Sequence, residues 1–243
     1  MKILITGHQG FIGSGLWSLL SKEHELVGLD KKSGHDVNTA DLPEVDLVIH
    51  LAGIGGVRES IKDPGKYWHN NVTATQRLLQ HYGDKRVLVA SSSSQYEPHK
   101  NPYAASKHVM EFIEHPQVVW MRFHTVYNDQ ARTGMFFDKL FQGTLEYVTE
   151  HERDFIHRDD LVQAIRLLIH SSLTGPVDIG TGVTTRISDI VPTLPVKKGH
   201  EGERQRTCAD TTLLKQATGF VATIQVKDFL EEHNEKICNY YNE

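Results

Sequence analysis

Lys2-Ile3-Leu4-Ile5-Thr6-Gly7-His8-Gln9-Gly10-Phe11-Ile12-Gly13 is the stretch that decides the fold. Lys2 to Thr6 is an apolar run of strand length, and glycines punctuate the chain directly after it. From Phe11 to Leu20 the apolar residues Phe11, Ile12, Leu16, Leu19 and Leu20 fall close to helical spacing. Strand, glycine turn and helix therefore follow one another, with Gly7, Gly10 and Gly13 leading into the helix. Glycine admits positive φ and lets backbone approach a diphosphate, which the free amides and positive end of the helix attract. The spacing is G-x-x-G-x-x-G rather than the usual G-x-G-x-x-G dinucleotide fingerprint. An ordinary strand-to-helix turn favours glycine as well.

Asp30 decides between the two readings. It closes a second expected strand, Glu25 to Asp30, where a carboxylate can accept from the adenosine ribose hydroxyls and repels a 2′-phosphate. The cofactor expected is NAD rather than NADP, although Lys31 and Lys32 follow directly. Further strands are expected at Val45 to Leu51, Arg86 to Ala90 and Val118 to Phe123, with helices at Tyr67 to Tyr82 and Tyr103 to Glu114. This alternation implies parallel strands joined by right-handed crossovers, an α/β doubly wound sheet with ligands at the carboxyl ends of its strands. Only about fifteen residues separate Asp30 from Val45, too few for the usual crossover helix.

Beyond Thr125 the pattern loosens. Asp160 to Ser171 reads as a helix burying Leu161, Val162, Ile165, Leu168 and Ile169, and Asp228 to His233 ends the last clear helical segment. Pro192 to Gly202 is the most linker-like stretch, expected to be mobile, and His151 and His157 are expected to flank a loop. The organisation expected is a cofactor-binding domain over 1–124 and a small substrate-binding lobe over 125–243, with segments returning to the first domain.

The 243 residues carry a formal net charge of -5, with 39% hydrophobic and 23% charged residues. Nothing in that balance suggests nucleic acid, which calls for clustered basic residues interleaved with exposed aromatics. Cys208 and Cys238 lie far apart, which argues against a disulfide framework and for a reducing compartment. The apolar run at the amino end is too short for a signal peptide or membrane span, so a cytoplasmic protein with no membrane partner is expected. The fifteen histidines include no H-E-x-x-H or similar ligand set, and no metal is expected.

Tyr103-Ala104-Ala105-Ser106-Lys107 puts Tyr and Lys on one helix face, where the ammonium is expected to lower the phenol pKa towards a useful value. A surface i,i+4 pair has the same spacing. Upstream, Val87 to Ser94 ends a strand in hydroxyls where the ligand crevice opens, and Ser92 can there hold a substrate hydroxyl against the Tyr. Serine-rich strand ends are also plain turns.

In this order the pieces resemble the extended short-chain dehydrogenase/reductases. The resemblance rests on the Gly7 to Gly13 turn, Asp30, His50-Leu51-Ala52-Gly53, the serine-rich strand end and Tyr-x-x-x-Lys. It continues through Gly56 to Ser60, Asn70 to Thr75, Arg122 to Tyr127, Arg153 to Val162, Asp178 to Gly182 and Ala209-Asp210, covering nearly the whole chain. Within the family the chain is most similar to NAD-dependent nucleotide-sugar 4-epimerases acting on UDP-glucuronate or UDP-glucose. The resemblance implies a Rossmann fold with a small C-terminal substrate-binding lobe. It makes Ser92 the substrate-orienting hydroxyl, Tyr103 the catalytic base and Lys107 its partner on the nicotinamide ribose. Asp36 and Val37 contact adenine, and Leu51, Ala52, Gly53, Asn71 and His124 lie on the cofactor side. Arg58, Ser93, Thr125 and Arg132 lie near the sugar and its carboxylate, and Arg153 pairs with the diphosphate. The implied reaction is 4-epimerisation of a UDP-sugar through a transient 4-keto intermediate. The matching helices of the family form a dimer interface, which implies a homodimer.

Some positions depart from the family. Asn128-Asp129 replaces Gly-Pro, Glu97 and Ala74 replace glycines, and His200 stands where galactose epimerases often carry a phosphate-binding arginine. A 4,6-dehydratase would need an acidic pair at Ser93 and Ser94. A nucleotide-sugar reductase is opposed by Asp30, and a retired nucleotide-binding module by the intact Ser, Tyr and Lys.

Overall fold

The computed structural model describes residues 1–241. β1 (Lys2–Thr6), α1 (Phe11–Leu20) and β2 (Glu25–Leu29) open the chain and lead to β3 (Leu47–His50). As the short spacing requires, no helix lies between β2 and β3; the chain makes a single 3₁₀ turn, Lys31–Ser33. The expected helix over 67–82 consists of α3 (Pro64–Tyr67), a π-helical turn (Trp68–Thr73) and α4 (Ala74–His81), preceded by α2 (Val57–Lys62). Next come β4 (Arg86–Ser92), α5 (Pro102–Met110) and β5 (Val118–Phe123). α5 stops four residues short of the expected Glu114, and Glu111, Phe112 and Ile113 continue it only as tighter turns, their amides donating three residues back.

The second half contains β6 (Thr125–Tyr127), α6 (Phe136–Phe141), β7 (Glu152–His157), α7 (Arg158–Ile169), β8 (Gly175–Ile179) and β9 (Thr184–Arg186). It closes with α8 (Thr212–Thr218), α9 (Val226–Glu232) and α10 (Asn234–Tyr241). Two expectations are corrected here. His151 precedes strand β7 and His157 ends it, with no loop between them, and α10 extends the helical structure past His233. Pro192 to Gly202 forms no helix or strand, yet it is pinned: Val148 N donates to Pro195 O at 3.1 Å and Lys197 N to Val148 O at 2.9 Å.

Six strands form a parallel sheet in the order β2-β1-β3-β4-β5-β8, and β6-β7-β9 form a second, smaller sheet. β3 is buried throughout and β4 nearly so, which is why both read as continuous apolar runs. Leu16 and Leu20 of α1 pack with Leu161 and Ile165 of α7 against Ile3, Ile49 and Met121 on one face. On the other, Leu78 and Leu79 of α4 and Met110 of α5 cover Leu4, Val48, Val87 and Trp120. A third, aromatic cluster (Tyr127, Phe137, Phe141, Phe155, Phe229 and Tyr241) lies in the second half, while β8 returns to the main sheet beside β5. The sheet thus has helices on both faces, as in a doubly wound fold. It ends at β2, without the further strand that usually lies outside it.

Candidate active site

The glycine turn is shaped by contacts that exclude a Cβ. Gly7 has φ +72°, and a Cβ there would sit 2.8 Å from Ala52 N. A Cβ on Gly13 would come within 2.1 Å of Gly7 O, so the first turn of α1 lies directly on the loop. Gly10 caps α1 without a side chain, which leaves the first amides of the helix open to an anion. Asp30 ties this turn to the end of β2: its Oδ2 accepts from Gln9 N at 3.0 Å and its Oδ1 from Lys32 N at 2.9 Å. Lys31 reaches Asp36 at 3.0 Å. Burial alone would raise the Asp36 pKa, but bonds from Asn38 and Lys31 outweigh it and hold the carboxyl below its usual range. Val37 is buried and its carbonyl accepts from Arg77. Phe11 lies against the guanidinium of Arg158, and Ile12 packs on the sheet core.

A second group gathers around the start of α5. Asn101 caps this helix by accepting from Ala104 N at 2.8 Å, and Pro102 fixes the backbone of its first residue. Tyr103 therefore sits in the first turn and Lys107 one turn later. Ser92, at the carboxyl end of β4, accepts from Ser94 N at 3.1 Å and pulls the pKa of the Tyr103 phenol down. Lys107 Nζ donates to Ala90 O at 2.7 Å, and a Cβ on Gly53 would lie 3.5 Å from that nitrogen. Asn71 has its amide fully engaged. It accepts from Ile54 N and donates to Ile54 O and Ser106 Oγ, which clamps the Gly53-Ile54 loop to α5. Leu51 and Ala52 continue from β3 into that loop, held by Thr6 through Leu51 N to Thr6 O and Ala52 N to Thr6 Oγ1.

Burial dominates the titration of this group. Lys107 is lowered to about 8 by burial, against an opposing pull from Glu111. Tyr103 is raised by burial, although the bond to Ser92 and the charge of Arg132 pull it down. The expected lowering by Lys107 does not operate in this state of the pocket, since its ammonium is directed to Ala90 O. His50, buried between Thr6 and Thr75, is pushed down to about 3 by burial and by Lys107.

Arg132 joins Tyr103 at Gly55, where an added Cβ would lie 3.7 Å from Arg132 Nη1 and 3.9 Å from Tyr103 Oη. Arg58 and Arg153 meet elsewhere, at Glu203. Arg58 Nη2 lies 3.1 Å and Arg153 Nη2 3.9 Å from its carboxylate, with His151 at 3.5 Å. Ser93 is buried and its carbonyl accepts from Arg204 Nη1 at 2.8 Å. Thr125 opens β6, in register with Phe155. His124 precedes it and contacts Asp178 at 3.3 Å. Glu203 and Arg204 escaped the sequence reading. The one available signal was their place just after His200, where a phosphate-binding arginine was sought. An open cleft of about 870 Å³ lies under the end of α5, lined by Phe112, Trp120 and Arg122, and none of the expected site residues borders it. Among the described residues, no group of three or more His, Cys, Asp or Glu is placed to hold a metal, and no helix is long and apolar enough to cross a membrane.

The sequence profile of the NAD dependent epimerase/dehydratase family matches residues 3–180. The chain belongs to that family. An uncharacterized UDP-glucose epimerase of Bacillus subtilis is 27% identical, with 99% of each chain covered. That alignment runs over 316 positions although this chain has 243 residues, so the kinship persists through deletions. Among solved structures, MoeE5 in complex with UDP-glucuronic acid and NAD is 29% identical at a TM-score of 0.85, covering 98% of this chain and 99% of that one. The UDP-glucuronic acid 4-epimerase of Bacillus cereus, also holding UDP-glucuronic acid and NAD, is 26% identical at 0.83, covering 99% and 100%. NAD is the cofactor of the family, and the side-chain-free cap of α1, the Gly7 and Gly13 contacts and Asp30 fit it.

Proposed function

We propose that the chain is a UDP-sugar 4-epimerase and that its substrate is a UDP-uronate of the UDP-glucuronate type. The observation that carries the reading is the meeting of Tyr103 and Arg132 beside Gly55, with Ser92 acting on the Tyr103 phenol from the end of β4 and Lys107 one helical turn away. MoeE5 and the Bacillus cereus epimerase, each holding UDP-glucuronic acid and NAD, support it.

In this reading NAD is held by Gly7, Gly10, Phe11, Ile12, Gly13 and Asp30, with Asp36 and Val37 at the adenine end. Leu51, Ala52, Gly53, Asn71, Lys107 and His124 complete its pocket. NAD held there would supply reversible hydride transfer at C4 of the sugar, with no net redox change. Ser92 holds the 4-hydroxyl against Tyr103, which removes its proton when ionised and gives it back after the sugar turns over. Arg132 receives the C6 carboxylate, a pairing a planar guanidinium makes well. Arg58, Thr125 and Ser93 border the sugar, and Arg153 takes the diphosphate in exchange for Glu203. The proposal includes a cytoplasmic homodimer, supported by Trp68 and Phe112, which remain 50% and 72% exposed on the helical side.

The test is to incubate the purified chain and its Tyr103→Phe variant with NAD⁺ and UDP-glucuronate, UDP-glucose or UDP-N-acetylglucosamine, and to read the anomeric signals by proton NMR. A C4 epimer from UDP-glucuronate, absent in the variant, is expected. No conversion of any sugar while NAD still binds would defeat the reading and favour a retired nucleotide-binding module.

A further inference from the structure

Asn101 holds two parts of the molecule with one side-chain amide. Its Oδ1 accepts from Ala104 N at 2.8 Å and caps α5, the helix that carries Tyr103 and Lys107. Its Nδ2 donates to Gly202 O at 2.9 Å, 101 positions away in the chain. The side chain is buried, so water does not compete for either bond. Gly202 lies in a tight turn: its amide donates to His200 Nδ1 at 3.0 Å, and Glu203 N donates to His200 O at 2.9 Å. A Cβ on Gly202 would come within 3.3 Å of Lys100 O, so this turn rests directly on the residue before the cap.

The residue after Gly202 is Glu203, whose carboxylate holds Arg58 at 3.1 Å, Arg153 at 3.9 Å and His151 at 3.5 Å. Arg204 then runs back to the strand end that presents Ser92, donating to Ser93 O at 2.8 Å and to Glu97 at 3.0 Å. Gln205 O accepts from Glu152 N, beside Arg153 on β7, at 2.9 Å. The segment 200–205 is therefore a strap that meets the arginines through Glu203 and the start of α5 through Gly202, one peptide unit apart. A cap by itself asks only for an acceptor, which serine or aspartate supplies as well. The donor half of the Asn101 amide is what reaches the strap.

We propose that Asn101 is a positioning residue that couples the arginines around Glu203 to α5. An anion arriving at Arg153 draws its guanidinium from Glu203, the released carboxylate moves the Gly202-Glu203 peptide, and the bond from Asn101 carries that movement to the first turn of α5. Occupancy of the anion site and the setting of Tyr103 and Lys107 are then linked, so each ligand strengthens the binding of the other. This coupling rests on Arg153 as a diphosphate ligand and Lys107 as a cofactor ligand, but not on the reaction at C4.

Calorimetry tests it by titrating NAD⁺ into the full chain, with and without saturating UDP, for the parent, Asn101→Ser and Asn101→Ala. Serine caps a helix as asparagine does, but its hydroxyl is too short to reach Gly202. In the parent, UDP should tighten NAD⁺ by at least about fivefold. In Asn101→Ser that factor should fall to within about twofold, while UDP alone still binds and the melting temperature stays near the parent's. Asn101→Ala should lose the factor as well and melt about 2 to 4 °C lower for want of the cap. If Asn101 only caps the helix, the factor survives in Asn101→Ser, and that result overturns the proposal. So does a parent in which UDP leaves NAD⁺ affinity unchanged or weakens it, an outcome that leaves the epimerase reading standing. Should Asn101→Ser fail to fold, Asn101→Asp carries the same comparison, because a carboxylate caps the helix but has nothing to donate to Gly202 O. UDP that does not bind the parent at all sinks both readings, whereas linked binding without any epimerisation keeps this one alone.

Discussion

Tyr103 and Lys107 stand one helical turn apart, and burial moves their proton affinities in opposite directions, Tyr103 up and Lys107 down to about 8. A proton-accepting Tyr103 is therefore populated only as pH rises, and the single-turnover rate is expected to climb on the alkaline side. Arg132 lowers Tyr103 by its charge, so Arg132→Ala should move that limb to higher pH while Arg132→Lys leaves it nearly in place. A limb that stays fixed in Arg132→Ala would show that the guanidinium does not act on the phenol. His50 offers a second test through folding stability. Its pKa falls from 6.5 to about 3 in the native state, so the unfolded chain binds the extra proton between those values. Stability tied to His50 is full above pH 6.5 and drains as pH falls towards 3, by up to about 5 kcal/mol. His50→Gln should flatten that acid limb in urea titrations run at a series of pH values, and an unchanged slope would contradict the assignment. Tyr103 and Lys107 were legible because both lie on one helix at a spacing of four. Asp178, Glu203 and Arg204 were not, since each acquires its partners from elements far away in the chain.

At the scale of elements, the strand-turn-helix unit of β1 and α1 separates steric from conformational demands on glycine. A Cβ on Gly13 would meet the backbone of Gly7 and His8 at 2.1 to 2.9 Å, and backbone cannot yield as a side chain does. Gly34 has φ +81° but nothing within 4 Å of an added Cβ. Gly34→Ala should lose about 1 kcal/mol to backbone strain and leave NAD binding intact. Gly13→Ala should shift the helix off the loop, lowering the melting temperature further and weakening NAD at least tenfold by calorimetry. Equal NAD affinity in the two variants would refute the close helix-to-loop fit as the source of binding. The same unit was readable in advance because its apolar spacing changes from strand to helix across three glycines. β7 was hidden for the opposite reason: Glu-Arg-Asp-Phe-Ile-His carries three charges in six residues, and its Asp154 is nevertheless fully buried. α8 and α10 lack a long apolar stripe.

Across the whole molecule, two buried carboxylates fasten the second half of the chain to the main sheet. Asp154 of β7 accepts four hydrogen bonds. Thr181 N and Oγ1 donate to Oδ1 at 2.8 Å, and Gly182 N and Ala209 N donate to Oδ2 at 2.8 and 2.9 Å. It thereby joins the small sheet to the loop after β8 and to the segment entering α8. Asp160 of α7 does the same for the stretch before α9, accepting from Thr223 N, Thr223 Oγ1 and Ile224 N. A chain this short has deleted connecting structure that its relatives keep, so these point attachments carry a larger share of the assembly. Asp154→Asn retains the side-chain shape but turns one acceptor into a donor facing amides, leaving buried groups unpaired. The expected loss is about 3 kcal/mol, or roughly 6 to 12 °C in melting temperature for a chain of this size. Because Asp154 lies on the strand that carries Arg153, UDP-glucuronate affinity should fall with it, whereas the β1 and α1 turn and its NAD affinity should be spared. A variant that melts as the parent does would show that the attachments through Asp154 are dispensable. One that loses NAD and sugar in parallel would show that the two halves fold as one inseparable unit.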